Sequence, residues 1–113
     1  MIINKQPIEG AKLITIEEAE ANLANAEQFK TLVIEEVEAG EKKIIISFEK
    51  VEYVDSSFLG ALVAILKALL PQQGTLILIE MNDDILNLFQ LTRLNKVFVL
   101  ANTLEDALTH LNG

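Results

Sequence analysis

With 113 residues the chain has room for one domain and one core, and it is too short for a large multidomain enzyme. Half the residues are hydrophobic and 23% are charged, which excludes wholesale disorder; with no cysteine there is no disulfide framework, thiolate metal site or cysteine nucleophile. Nine Lys and Arg against 17 Asp and Glu leave a net charge of −8, the wrong sign for nucleic acid or an anionic membrane surface, both of which attract cations.

In chain order, Ile2 to Asn4 is a candidate short strand, and Lys12 to Ile16, β-branched and apolar, is a firmer one. From Asn22 to Ala39 the residues Ala26, Phe29, Val33 and Val37 recur at spacings of three and four, the stripe of a helix, and Gly40 suits its end. The glutamates from Glu35 to Glu41 read as a solvated face and loop. Lys43 to Phe48 is a continuous apolar run, as in a strand buried on both faces. A second helix runs from Ser57 to Leu70 and is closed by Pro71 and Gly74; Thr75 to Glu80 is another buried strand. Asn82, Asp83 and Asp84 open a third helix reaching Leu91, their charges matched to the positive end of its dipole. Val97 to Leu100 is the last expected strand, and Thr103 to Asp106 starts a helix over Leu104 to Leu111. Short apolar strands linked by helices imply a largely parallel sheet, mixed if the first segments pair antiparallel, in an α/β sandwich of four to five strands and about four helices.

No signal-like apolar run opens the chain, and the longest apolar stretch, Phe58 to Leu70, is broken by Lys67 and falls short of the roughly 20 residues of a membrane span. The expectation is a soluble, cytoplasmic protein with no membrane insertion.

Two hydroxyls and a carboxylate, Asp55, Ser56 and Ser57, sit between a strand end and a strongly apolar helix. One reading is helix capping, in which their oxygens accept bonds from unpaired amides. The other is a phosphoacceptor or docking serine on a turn against a helix N-terminus. The helix that follows is apolar almost all round, through Phe58, Leu59, Leu62, Val63, Ile65, Leu66 and Leu69. Such a helix is either wedged between neighbours or shares its surface with another molecule.

The run Asp55-Ser56-Ser57-x-Leu59-Gly60, after a β-branched strand and before an apolar helix, resembles the STAS domain of anti-sigma factor antagonists. Asn22-x-x-Asn25 is similar to the element opening that family's first helix. Leu88-Phe89-x-Leu91-Thr92-x-Leu94, Val97-Phe98 and Thr103 to Leu108 resemble its last segments. The resemblance covers nearly the whole chain and implies a single STAS-like domain over residues 1–113. It implies that the unmodified form binds an anti-sigma factor that is a serine kinase, that the kinase phosphorylates Ser56, with Ser57 the alternative, and that a phosphatase reverses this. Asn22, Asn25, Asp55, Ser57, Phe58, Leu59 and Leu62 are then the expected partner-binding residues. Phe58 stands where glycine is frequent in the family, and Asn22 where many relatives have aspartate. STAS-like domains also serve as accessory parts of transporters or other regulatory complexes without phosphorylation, the alternative role.

No enzyme activity, cofactor or metal is expected. A serine hydrolase needs a base, and the one histidine, His110, lies near the C-terminus with no Gly-x-Ser-x-Gly elbow in the chain. Asp83 and Asp84 are more simply helix-start charges than a metal pair. The five glycines form no phosphate-cradling loop.

Overall fold

A computed structural model describes residues 1–112. Its main sheet has five strands, β1 (Ile3–Ile8), β2 (Ala11–Ile16), β4 (Lys43–Ser47), β6 (Thr75–Ile79) and β7 (Val99–Ala101), in the order β1-β2-β4-β6-β7. Only β1 is antiparallel to its neighbour. A second sheet of two short strands, β3 (Glu20–Ala21) and β5 (Tyr53–Val54), lies apart from the first. The helices are α1 (Leu23–Glu38), α2 (Ser56–Leu69), α3 (Asp83–Leu91) and α4 (Leu104–Asn112). The mixed, largely parallel α/β sheet with four helices is as the sequence implied.

Strand alternation divides the apolar residues between two faces. Ile14, Ile16, Ile44, Ile46, Leu76 and Leu78 point toward α1, α2 and α3. Leu13, Ile45, Ile77 and Ile79 point the other way, under Leu104, Ala107 and Leu108 of α4. Because every crossover from β2 onward moves one place in the same direction, a common handedness puts α1, α2 and α3 on one face. Helix α4 belongs to none of these crossovers and covers the face the others leave.

The structure departs from the sequence reading in four places. The first strand extends to Ile8 and turns through Glu9 and Gly10, both at positive φ (44° and 84°), the backbone of a two-residue hairpin. Pro7 is tolerated there because β1 is an edge strand. The small β3–β5 sheet has no counterpart in the sequence pattern, as two-residue strands carry no periodicity. The last strand starts at Val99 and not Val97, because a helical turn over Leu94–Lys96 accepts the amides of Val97 and Phe98 at the Leu94 carbonyl (both 3.0 Å). Finally, Glu36 is not purely solvated: Lys5 of β1 and Lys12 of β2 both reach it, at 3.2 and 3.3 Å.

Candidate functional site

Strands β3 and β5 pair in parallel, Glu20 with Tyr53 and Ala21 with Val54, and the Asp55 amide continues the ladder to the Ala21 carbonyl (3.1 Å). Each strand runs directly into a helix, so α1 and α2 begin side by side. Asp55 joins them. Its Oδ1 accepts from the Phe58 amide (3.0 Å) in the first turn of α2, and its Oδ2 from the Leu23 amide (2.9 Å), the first residue of α1. Asn22 caps α1 by accepting from Ala24 N–H (3.0 Å). Asn25 returns the bond by accepting from Asn22 N–H (2.9 Å), and donates its own amide to the Glu20 carbonyl (2.8 Å). At α3, Asn82 accepts from Ile85 N–H (2.8 Å) and donates to the Glu52 carbonyl (3.2 Å). The loop from Glu52 to Ser56 is thereby tied to three helix starts, each the positive end of a dipole.

Ser56 is the first residue of α2 and is exposed; Ser57 beside it is half-buried. A hydroxyl there is open to another molecule, and the converging helix ends suit an anion attached to it. Capping falls to Asp55, which leaves the Ser56 hydroxyl unneeded as the cap.

The surface around Ser56 is not the one expected. Phe58 and Leu62 are wholly buried and Leu59 is 4% exposed, so none of the three offers its side chain to a partner. Phe58, Leu62, Ile65 and Leu69 recur at helical spacing on the packed side of α2. The Phe58 ring lies 4.8 Å from that of Phe29 on α1 and 6.5 Å, edge-on, from that of Phe48 beyond β4. Helix α2 is therefore the wedged kind of apolar helix. What it leaves to solvent is a line through Ser56, Gly60 and Lys67. Asn22 and Asn25 lie close by, but their hydrogen bonds to backbone make them clasps that shape the site.

Two exposed apolar side chains flank Asp55 and Ser56 instead: Leu23, 75% exposed, and Tyr53, 54% exposed. Periodicity misplaces Leu23, which stands three residues before Ala26 and so falls on the buried stripe. The packed side of α1 begins only at Ala26. Tyr53 carried no signal, being half of a two-residue strand. Next to Ser56 a cleft of about 540 Å³ opens between β5, α2 and α3. Buried Val54 and Ile85, with half-buried Leu88, make its floor; Glu52, Tyr53 and Asp84 stand exposed at its edge. His110 lies on α4, across the sheet from Ser56, so the two do not share a proton. Asp83 and Asp84 occupy the first turn of α3, and no metal-holding group of three acidic or histidine side chains exists among the described residues.

The family model for the STAS domain matches residues 3–107. A Bordetella bronchiseptica protein, BtrV, provisionally designated an anti-sigma factor antagonist, is 28% identical over 95 residues, covering 84% of this chain and 82% of its own. A Thermotoga maritima crystal structure with the same provisional designation superposes with a TM-score of 0.88 at 25% identity, over 98% of this chain and 95% of that one. The fold is also that of the anti-sigma factor antagonist SpoIIAA in its unphosphorylated form (TM-score 0.76, 20% identity, 99% of each chain). SpoIIAA has a phosphorylated form of the same fold as well (TM-score 0.73, 21% identity, 97% of this chain and 99% of that one). A part of the murine anion transporter Slc26a9 is similar too (TM-score 0.78, 18% identity, 93% of this chain and 18% of the transporter). No helix among the described residues is long and apolar enough to cross a membrane.

Proposed function

The chain belongs to the STAS domain family, and from that premise we propose that it is a cytoplasmic anti-sigma factor antagonist switched by phosphorylation of Ser56. The observation that carries this reading is the exposed Ser56 at the first turn of α2, beside the exposed Leu23 and Tyr53. In this account the protein has no catalytic activity. It is the substrate of an anti-sigma factor that is itself a serine kinase.

Unmodified, the protein docks the kinase through Leu23, Tyr53 and the open line of α2, and the sigma factor is released. The kinase then transfers a phosphoryl group. The Ser56 oxygen bonds to the γ-phosphorus of ATP, the bond from that phosphorus to the β-phosphate oxygen breaks with ADP as the leaving group, still held by the kinase, and the serine proton passes to a base of the kinase. The product adds about −1.5 to −2 of charge at Ser56. Within the free protein the helix ends accommodate that charge. In the complex it faces the terminal phosphate of the ADP just formed, and like charges at that range repel. A loss of about 4 kcal/mol lowers affinity roughly a thousandfold, so release requires no refolding. Hydrolysis by a phosphatase restores the serine.

A second reading, an accessory unit of a transporter or other complex that acts unmodified, is favoured by the likeness to a part of Slc26a9. One experiment separates the two. The protein is incubated with its anti-sigma factor and ATP, modified residues are mapped by mass spectrometry, and the affinity of unmodified and Ser56→Asp protein is measured by calorimetry. Phosphate on Ser56 and weakened binding by Ser56→Asp are expected. A bare Ser56, or unchanged affinity, overturns the switch and favours the accessory role.

A further inference from the structure

We infer that the cleft beside Ser56 receives a basic–apolar segment of the partner protein, an aliphatic side chain entering the cleft with a lysine or arginine beside it. The inference rests on the partner-binding reading of this site and names the chemistry that it selects.

The floor is apolar, through Val54, Ile85 and Leu88, and wide enough at about 540 Å³ for one or two aliphatic side chains. Three carboxylates border it: Glu52 from the loop before β5, Asp55 at the start of α2 and Asp84 in the first turn of α3. No basic residue lines it. Four acids outside the cleft, Glu17, Glu27, Glu36 and Glu41, are paired with lysines. Among the described residues Glu52 and Asp84 have no such partner and stand exposed, whereas the Asp55 oxygens are already engaged by the Phe58 and Leu23 amides. Nor do the three draw together as ion ligands, since no metal-holding cluster is found among the described residues. Separated carboxylates around an apolar floor match a cation carried on a hydrophobic segment better than a bare ion. The exposed Tyr53 ring adds a face on which a guanidinium or ammonium can stack. Charges so placed speed encounter and fix the register of the bound segment. The cleft supplies alignment, and Ser56 at its edge supplies the switch.

The test uses the full chain labelled with nitrogen-15 and a capped tetrapeptide alternating leucine and arginine. Two controls replace arginine with glutamate or leucine with glycine. Saturable amide shifts confined to residues 52–56 and 84–88 are expected. The leucine–arginine peptide should bind at least tenfold more tightly than its glutamate counterpart and at least threefold more tightly than the glycine–arginine peptide. In the double variant Glu52→Gln, Asp84→Asn, whose changed side chains are exposed and whose fold is checked by its spectrum, the preference for arginine over glutamate should shrink at least threefold. Shifts scattered over the acidic surface, equal binding of the glycine–arginine peptide, or an unaltered preference in the double variant overturns the inference. No kinase enters this experiment, so its failure leaves the Ser56 switch standing. A bare Ser56 in the phosphorylation assay leaves the cleft result intact.

Discussion

Asp55 holds two helices with one carboxylate, and its removal should be felt in both. Asp55→Ala leaves the Phe58 and Leu23 amides without their acceptor. A lost cap costs about 0.5–2 kcal/mol and a second broken bond about 1 more. Urea denaturation should therefore give a stability lower by about 1–3 kcal/mol, with Asp55→Asn, which keeps one acceptor oxygen, falling between. Phe58→Ala should cost about 3–5 kcal/mol by the same measurement, because a wholly buried ring between Phe29 and Phe48 leaves a cavity. Tyr53→Ala, by contrast, should leave the denaturation midpoint nearly unchanged and weaken binding to the anti-sigma factor by roughly tenfold or more, as for an exposed aromatic anchor. At this scale the sequence marked Asp55 and Ser56 through their chemistry. It could not rank Phe58 against Tyr53, since exposure depends on what the rest of the chain lays against each ring.

Between elements, the clearest polar tie is Glu36 on α1, bonded by Lys5 from β1 and Lys12 from β2. Partial burial pushes the Glu36 carboxyl up, but the bonds and charges of the two lysines outweigh it and hold the group below its ordinary value of 4.5. A carboxylate whose pKa is depressed by folding contributes stability above its unfolded pKa and loses it as pH falls through the folded one. Glu36→Gln should thus be less stable than the parent at pH 7, by about 1 kcal/mol at most for a pair so near the surface. The difference should shrink in thermal melts taken from about pH 5 downward. Helices α1 to α4 were legible because periodicity and caps are local signals. The Glu9-Gly10 turn carries no clear sequence signal, because glutamate is a poor marker of a positive φ. The β3–β5 sheet exists only because distant segments meet, and it sets the two helix starts around Asp55 side by side.

Across the whole molecule, the two sides of the sheet are unequally protected. Three helices cover one, and α4 alone covers Ile45, Ile77 and Ile79 on the other. Deleting residues 104–113 should expose that face. The truncated chain is expected to bind a hydrophobic dye more strongly than the full chain and to sediment as larger species, as exposed apolar patches of this kind promote association.

By itself the sequence determined the order of the main-sheet strands and the helices, the largely parallel sheet and the Asp55-Ser56 junction, because propensity, capping and hydrophobic period act over a few neighbouring residues. Which apolar side chains remained at the surface beside Ser56, and the acidic cleft that borders it, were decided only by tertiary structure. Burial and charge proximity are properties of segments brought together from Leu23, Tyr53 and Asp84, and no local pattern encodes the distance between them.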